Sequence, residues 1–284
     1  MTDARLRALI ALADTGSVRA AARDLVVTES AVSAAVSALG KEVGVRLVEK
    51  SGRGVVLTQA GVTYVGYARR VLGLLEEGRA AARGEGDPGR GRLRLAAVTT
   101  IADQVLPGLL ATFRTTWPGV DLALEVGPNR RIWERLATHQ ADLVLGGRPP
   151  SSSGGTVHAT KPNHLVVVAS PEVEFSLETT PWIMREPGSG TRATAEAYLA
   201  DQEVSPPMLV LGSNGAVVAG AVVGLGVTLI SREAVADELS EGRLVEVNAP
   251  ATPLSRPWHA VVGPTPTATT RLFMTHLLSA GWLA

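Results

Sequence analysis

The sequence predicts an α+β multidomain protein, in which a small helical domain with a two-stranded wing and a long helix precede an α/β domain. Three observations predict this class. Two short helical segments flank a tight turn near the N-terminus, apolar residues recur every three or four positions across 59–83, and short apolar runs alternate with helical segments from residue 92 onward. At 284 residues the chain exceeds a typical single domain and can bury a sizeable core.

The segment 17–40 has the pattern of a helix-turn-helix. The side-chain oxygen of Ser17 can cap the free N–H groups of a first helix, which buries Ala21, Ala22 and Leu25 at helical spacing. The two valines that follow Leu25 lie in the predicted turn. A helix-turn-helix places its second helix in the major groove of a duplex, so the segment predicts binding to double-stranded DNA.

The predicted second helix has one apolar face and one face of small residues. Thr28 is its predicted cap, and Val32, Val36 and Leu39 form an apolar stripe at i, i+4 and i+7. The opposite stripe consists of Ser30, Ser33, Ala34 and Ser37. Hydroxyl groups there suit close approach to a duplex and donate to phosphates, although small residues also allow another helix to pack closely. Glu29 can accept from a cytosine amino group or can complement the helix N-terminus.

A strand-turn-strand pattern follows at 45–61, where two apolar runs flank a basic tip. Lys50 and Arg53 would contact phosphates there, unless the tip is only a solvated loop. The predicted DNA-binding residues are therefore Ser17, Thr28, Glu29, Ser30, Ser33, Ala34, Ser37, Lys50 and Arg53.

Thr58 caps a predicted long helix over 59–83. Its apolar seam alternates spacings of three and four, as in a coiled coil, through Val65, Ala68, Leu72, Leu75, Arg79 and Ala82. At about 1.5 Å per residue the helix is close to 40 Å long, too long for a small domain to cover, so we expect it to pair with its copy in a homodimer. Pairing would present two recognition helices to a two-fold DNA site.

Charge and composition narrow the function classes. Residues 1–90 hold 13 Lys and Arg against 10 Asp and Glu, a net of +3, and residues 91–284 hold 14 against 17, a net of −3, which agrees with DNA binding at the N-terminal end. The chain has no cysteine, which excludes disulfides, thiolate metal sites and cysteine nucleophiles. No signal peptide and no apolar run of roughly 18 residues are found, so we expect a cytoplasmic location and no membrane partner.

The segment 84–91 is a Gly/Pro-rich break that predicts a hinge. The predicted domains are therefore a winged helix-turn-helix at 1–58, a linker and dimerisation helix at 59–83, the hinge, and a second domain at 92–284. In that domain, buried-strand-like runs separated by helical segments predict parallel α/β units. These runs are RLRLAAV, VDLALEV, DLVLGG, HLVVVA, WIMRE, MLVLGS and GVTLIS.

Polar residues follow several of these strands at predicted helix starts, where free N–H groups and the helix dipole favour an anion. Arg148 and Arg185 add positive charge at strand ends. We therefore expect an anionic effector, held by Thr99, Thr100, Asn129, Arg148, Arg185, Gly188, Ser189, Gly190, Thr191, Arg192 and Asn214. The alternative is that the arginines pair with neighbouring carboxylates such as Glu134, Glu186 and Glu196.

The motifs A-A-x-x-L, x-x-A-V-S-x-x-[V/I]-x-x-L, Val43-Gly44, the wing, and L-T-x-x-G at 57–61 resemble those of LysR-type transcriptional regulators. The resemblance extends from about Arg5 to the C-terminus. Glu29 and Ser30 stand where the family commonly has Gln and Pro, Ala35 replaces a frequent Gln, and Gly40 replaces a frequent Glu. These departures bear on the operator sequence and leave the fold prediction unchanged.

The resemblance implies a C-terminal domain of the periplasmic-binding-protein type with two subdomains, the first at about 92–161 plus 264–284 and the second at about 162–263. It also implies a homotetramer, and an effector that changes the orientation of the subdomains. Within the family, GRPP and REPGSGTR look most like the regulators of Calvin-cycle, carbon-dioxide-fixation operons, whose effectors are phosphorylated sugars or nicotinamide dinucleotides. A small, phosphorylated metabolite is therefore the expected effector.

Two other classes compete with this interpretation. A phosphometabolite-binding enzyme or a solute-binding protein could use the GSGTR loop for a substrate phosphate. Phosphoryl chemistry would also need a positioned base or metal carboxylates, and the five histidines are scattered without metal-ligand spacing. Ser189 is not in a G-x-S-x-G elbow, because Pro187 stands two residues before it. We therefore expect no enzyme, no catalytic or metal-ligating residue and no cofactor.

Overall fold

The computed structural model describes residues 2–51, 54–84 and 87–284, apart from the side chains of residues 83 and 84. The chain divides into two compact units, one of Met1–Arg83 with Ala137–Gln140 and one of Gly84–Leu136 with Ala141–Ala284. No described helix is both long enough and apolar enough to cross a bilayer.

The helices of the described residues are α1 Asp3–Thr15, α2 Val18–Asp24, α3 Glu29–Val43, α4 Gln59–Gly84, α5 Thr99–Gln104, α6 Leu106–Thr116, α7 Asn129–Ala137, α8 Gly190–Asp201, α9 Asn214–Val222, α10 Ala236–Ser240 and α11 Ala268–Ser279. The strands are β1 Val48–Ser51, β2 Gly54–Leu57, β3 Arg92–Ala97, β4 Asp121–Val126, β5 Leu143–Gly146, β6 Thr156–Lys161, β7 His164–Ala169, β8 Trp182–Met184, β9 Met208–Val210, β10 Thr228–Ser231, β11 Val245–Glu246, β12 Leu254–Ser255 and β13 Trp258–Val262. Short 3₁₀ helices lie at Pro88–Arg90, Ser151–Ser153 and Arg232–Val235.

The N-terminal unit is a winged helix-turn-helix. The three predicted caps are all formed: the oxygen of Ser17 accepts from Ala20 N–H at 3.0 Å, that of Thr28 from Ala31 N–H at 3.2 Å, and that of Thr58 from Gly61 N–H at 3.0 Å. Strands β1 and β2 pair antiparallel as the predicted wing. Helix α1, for which the sequence analysis made no prediction, completes the core with Leu6, Leu9 and Leu12.

The predicted coiled-coil seam of α4 is wrong in its first half. Val65, Ala68 and Leu72 are buried in the core of the N-terminal unit itself, so they cannot face a second copy. The sequence period gives the face of a helix but not the partner that covers it. The apolar side chains that α4 leaves exposed on another face are Tyr67, Val71, Leu74 and Leu75, which we call the dimer strip.

The larger unit contains two lobes, each built on its own sheet. Lobe I has a five-stranded sheet in the order β4-β3-β5-β13-β6, in which β3 is parallel to β4 and β5, and β13 is antiparallel to its neighbours. Lobe II has a sheet centred on β7, with β10, β11 and β12 all antiparallel to it, and a parallel pair β8-β9. All seven predicted strands form, but the parallel pattern predicted for the whole domain holds only for β3 with β4 and β5 and for β8 with β9. The pairs that involve β7 or β13 are antiparallel.

The return from lobe II to lobe I comes earlier than predicted. Strand β13, at 258–262, pairs in the sheet of lobe I, so the second subdomain does not extend to residue 263. The two crossings run beside each other: Arg256 N–H donates to Asn163 O at 2.9 Å, and Asn163 Nδ2 donates to Arg256 O at 2.9 Å. The segment 258–262 carries no local signal for the sheet to which it belongs, so the sequence could not place it in lobe I.

The predicted hinge at 84–91 is only partly an irregular segment. Helix α4 includes Gly84, and the 3₁₀ helix Pro88–Arg90 is attached to α11, where the Thr269 hydroxyl donates to Pro88 O at 2.9 Å. Residues 85 and 86 lie outside the described part of the chain. The second half of the predicted hinge therefore belongs to the fixed structure of lobe I.

Candidate functional site

The exposed side of α3 is the recognition face, which we define as Thr28, Glu29, Ser30, Ser33, Ala34 and Ser37. All six residues are exposed, because the buried Val32, Val36 and Leu39 hold the opposite side against the core. The Thr28 and Ser30 hydroxyls are hydrogen bonded at 3.0 Å. The face therefore offers hydroxyls, one methyl and one carboxylate to a partner.

Three predicted DNA-binding residues lie away from α3. Ser17 is half-buried, and its side-chain oxygen caps α2 by accepting a hydrogen bond from Ala20 N–H. Lys50 is exposed near the end of β1. Arg53 lies outside the described residues. Whether these three contact DNA stays a prediction.

Cations beside the recognition face were missed by the sequence analysis. Arg19 and Arg23 are exposed on α2, and Arg46 is exposed ahead of the wing. None of the three makes an ion pair with another residue that the structure describes. They were missed because the prediction considered only the helix caps, one face of the second helix and the wing tip; a search for every arginine flanking the helix-turn-helix would have found them.

Lobes I and II enclose a cleft of about 350 Å³. Seven of the predicted effector-binding residues line it: Thr99, Thr100, Asn129, Arg185, Ser189, Gly190 and Thr191. They lie together because the ends of β3, β4 and β8 and the starts of α5, α7 and α8 converge there. Ser189 caps α8, and the first N–H groups of that helix have no intrahelical acceptor.

Four predicted effector-binding residues do not line the cleft. Arg148 is exposed outside the cleft. Gly188 is also exposed, and its φ of 88° gives the turn before α8 a left-handed backbone conformation that glycine adopts without strain. Arg192 donates to Glu196 at 2.7 Å and to Arg185 O at 3.1 Å. Asn214 contacts Arg185 and Thr100 from behind the cleft wall. Proximity to a strand end in the sequence was therefore not enough to bring these side chains into the cleft.

Carboxylates already neutralise most of the predicted cationic residues, as the alternative interpretation held. Arg185 forms a two-point ion pair with Glu186, at 2.7 Å and 2.8 Å, and its hydrogen bonds hold the pKa of that carboxyl below the ordinary value. Arg192 pairs with Glu196 at 2.7 Å. These arginines contribute little net positive charge to the cleft.

Arg256 is the cation of the cleft, and the sequence analysis did not predict it. Its Nη2 atom lies 2.7 Å from the position that a Cβ on Gly190 would occupy and 3.5 Å from that of Gly147. The guanidinium therefore lies between the end of β5 and the start of α8, in space that the absence of a side chain at Gly190 leaves open. Burial lowers the pKa of Arg256, and no residue that the structure describes forms an ion pair with it.

Buried polar residues fix the backbone of Arg256. The Ser231 hydroxyl donates to Asn163 Oδ1 at 2.6 Å, and the Asn163 amide donates to Arg256 O. All three residues line the cleft, as does the buried Trp258. Arg256 was missed because the subdomain boundary was predicted at residue 263. That boundary placed this arginine inside the second subdomain and not where the chain returns to lobe I.

An exposed recognition helix in one unit and a two-lobed α/β unit with a cationic cleft define a ligand-responsive, DNA-binding transcriptional regulator. Two family models match the chain, the bacterial regulatory helix-turn-helix protein of the lysR family at residues 4–62 and the LysR substrate binding domain at residues 86–282. The protein belongs to the LysR family of transcriptional regulators. It is not an enzyme, because the members of this family regulate transcription.

The similar curated proteins include regulators of carbon fixation. The chain is 33% identical to the HTH-type transcriptional activator CmpR of Synechocystis sp. over 261 residues, which cover 88% of this chain and 86% of CmpR. It is 34% identical to the RuBisCO operon transcriptional regulator of Acidithiobacillus ferrooxidans over 291 residues, covering 97% and 93%. The resemblance to regulators of Calvin-cycle operons is thereby confirmed.

Solved structures confirm the predicted fold class. The LysR family regulator CbnR superposes with a TM-score of 0.70 at 19% identity over 99% of both chains. The regulatory domain of Synechocystis CcmR, solved in complex with 2-PG, superposes with a TM-score of 0.59 at 26% identity and covers 66% of this chain and 96% of that domain.

Proposed function

We propose that the cleft binds a small phosphorylated anion and that binding changes how the protein engages its promoter. The observation that carries this proposal is Arg256. Its half-buried guanidinium has no ion-pair partner among the described residues and lies beside the N-terminus of α8, where the helix dipole disfavours a cation. An anion placed there would pair with the half-buried guanidinium and would also interact favourably with the N-terminus of α8.

The remaining polar groups of the cleft suit a phosphate. Hydroxyls of Ser189 and Thr191 lie at the start of α8, and those of Thr99 and Thr100 lie at the start of α5 in the other lobe. A phosphate has enough acceptor oxygens to use a guanidinium, hydroxyls and helix N–H groups together. A ligand that contacts both lobes favours one arrangement of the lobes, which is how binding can shift a conformational equilibrium.

The cleft volume favours a small metabolite. At about 350 Å³ it lies at the lower end of the range typical of ligand pockets. The regulatory domain of the similar protein CcmR was solved in complex with 2-PG, a phosphometabolite, which supports a ligand of that kind. We therefore expect a short phosphorylated acid to bind better than a nicotinamide dinucleotide.

On the DNA side, we propose that the recognition face enters the major groove and that Lys50, Arg53, Arg19 and Arg23 contact phosphates. We propose that two copies pair through the dimer strip of α4, since those apolar side chains are exposed in the single chain. We further propose that two such dimers form a homotetramer and that the protein is located in the cytoplasm, where the DNA is.

A thermal-shift titration tests the effector proposal. The panel is phosphoglycolate, ribulose bisphosphate, NADPH, sulfate and an aromatic carboxylate, applied to the wild type and to Arg256→Gln. A ligand at 100 times its dissociation constant adds about 2.7 kcal/mol to the free energy of unfolding, which is readily visible. We expect stabilisation by phosphoglycolate in the wild type and none in Arg256→Gln.

Arg148→Gln is the matched control, because Arg148 is an arginine just after β5 that lies exposed outside the cleft. It should respond to phosphoglycolate as the wild type does. Stabilisation by the aromatic carboxylate alone would contradict the phosphate proposal. An undiminished response in Arg256→Gln would show that the anion binds elsewhere.

A further inference from the structure

One side chain connects the two lobes away from the chain crossings. Asn214 is the first residue of α9 in lobe II, and its Nδ2 donates to Thr100 Oγ1 at 3.0 Å, at the start of α5 in lobe I. Its Oδ1 accepts a hydrogen bond from Arg185 Nη1. Thr100 and Arg185 both line the cleft, so Asn214 contacts two cleft residues from behind.

The orientation of the Asn214 amide is fixed by its neighbours. Arg185 has only donors to offer, and it is buried and held by the two-point ion pair with Glu186. Arg192 Nη1 further donates to Arg185 O at 3.1 Å. Asn214 must therefore present its oxygen to Arg185, which leaves its NH₂ group to donate toward Thr100.

The other connections between the lobes are of different kinds. The chain crossings at Asn163 and Arg256 join them covalently, and Lys161 and Glu233 form a partly exposed pair at 3.8 Å, which contributes little. The Asn214–Thr100 hydrogen bond is half-buried and has a donor held in place by Arg185. It is well suited to define one arrangement of the lobes.

We propose that Asn214 is a positioning residue that latches the two lobes in a closed arrangement. In that arrangement Thr100 of lobe I and the Ser189–Thr191 loop of lobe II line the same cleft as Arg256. The latch itself requires no ligand. Its effect on ligand affinity rests on the proposed function, because a closed cleft presents both sets of donors to one anion without a closure cost.

The first experiment measures the lobes without ligand. Because the chain has no native cysteine, Thr115→Cys in lobe I and Asp201→Cys in lobe II can carry two spin labels, both at exposed positions. The full-length labelled chain is diluted with an excess of unlabelled chain, and the distance between labels is measured by pulsed electron paramagnetic resonance. Asn214→Ala and Asn214→Leu should give a longer or broader distance distribution than the wild type.

Three further variants distinguish a latch from a general loss of structure. Asn214→Asp keeps an acceptor for both the Arg185 guanidinium and the Thr100 hydroxyl, and its charge suits a helix N-terminus, so it should restore the wild-type distribution. Asn248→Ala, an exposed asparagine in the same lobe, should have no effect. Thr100→Val should reproduce the effect of Asn214→Ala and add nothing to it in the double variant. A wild-type distribution in Asn214→Ala would overturn the latch.

The second experiment measures phosphoglycolate affinity by calorimetry. Loss of one neutral hydrogen bond corresponds to a weakening of about 2- to 10-fold, which we expect for Asn214→Ala, with recovery in Asn214→Asp. If the wild type binds no phosphoglycolate but the lobes still open in Asn214→Ala, the proposed effector is wrong and the latch stands. If affinity is unchanged while the lobes open, the latch has no positioning role and that part of the proposal fails.

Discussion

The recognition face and the cleft are both polar surfaces at helix N-termini, but they are assembled in opposite ways. The recognition face comes from ten consecutive residues, Thr28 to Ser37, and its side chains are exposed. The cleft takes its lining from separate segments between Val98 and Trp258, and much of it is half-buried. The first surface presents several equivalent hydroxyls, whereas the second concentrates its unpaired charge in Arg256. Single substitutions should therefore have small effects in the first, and removal of Arg256 should have a large effect in the second.

The largest expected effect tests whether the two surfaces act independently. Leu74→Arg places a charge in the dimer strip, where Leu74 is 55% exposed. Loss of pairing removes the second half-site contact, so affinity for a two-fold operator should fall by about 100-fold or more. Sedimentation velocity reports the assembly, and fluorescence anisotropy reports DNA binding. Phosphoglycolate stabilisation should be unchanged.

Val62→Arg is the control for that substitution, since Val62 is 53% exposed on a different face of α4. It should leave the sedimentation profile of the wild type intact. If Val62→Arg dissociates the protein and Leu74→Arg does not, the two copies pair through the face of α4 that carries Val62 and not through the dimer strip.

A smaller effect is expected from Gly190→Ala in the cleft. A Cβ there would lie 2.7 Å from Arg256 Nη2 and would displace the guanidinium from the start of α8. Loss of one charge-assisted hydrogen bond weakens phosphoglycolate binding by about 10-fold or more. Gly215→Ala, near the start of α9 with open space around its Cβ position, is the matched control for calorimetry. Equal affinities in both variants would remove Arg256 from the ligand contacts.

The recognition face should respond in a graded way. Lys50→Ala should weaken binding to all DNA sequences and lower the salt slope by about 1, because a phosphate contact is lost. Ser33→Ala should weaken binding only a few-fold and leave that slope unchanged, with some loss of sequence discrimination. Anisotropy titrations at several salt concentrations distinguish the two. An unchanged slope in Lys50→Ala would exclude it as a phosphate contact.

The smallest expected effect concerns pH. Burial lowers the pKa of His259 in β13 below its ordinary 6.5, and the nearby charge of Arg148 lowers it further. The unfolded chain therefore binds this proton more readily, so the contribution of neutral His259 to stability is lost as pH falls below about 6.5. Thermal unfolding of His259→Gln should be less sensitive to pH between 7 and 5 than that of the wild type. If the two proteins lose stability equally between pH 7 and 5, the pH dependence comes from groups other than His259.

Local sequence patterns predict the DNA-binding unit well. Ser17, Thr28 and Thr58 cap the helices expected of them, because a cap depends on residues only three positions apart. The buried face of α3 follows from a single helical period. The same local reasoning failed for Val65, Ala68 and Leu72, because the period cannot say whether α1 or a second copy covers them.

The cleft was predicted only in part, for reasons that are not local. Thr99, Ser189 and Thr191 were found because strand ends and helix starts gather ligand-binding groups in α/β folds. Arg256 was missed because its importance depends on the distant Gly190 and on the absence of a carboxylate partner among the described residues. Arg185 and Arg192 each bond to a carboxylate only one to four positions away, and their contact with an effector stays a prediction.

The burial of Val65, Ala68 and Leu72 makes α4 an integral part of the DNA-binding unit. The exposed dimer strip lies on the same continuous helix, which has no break between Gln59 and Gly84. Under the proposed pairing, a small rotation where the two copies meet would swing each recognition helix through an arc, because α4 joins the two without a break. The crossing angle of the two α4 helices would then set the separation of the two half-sites on DNA.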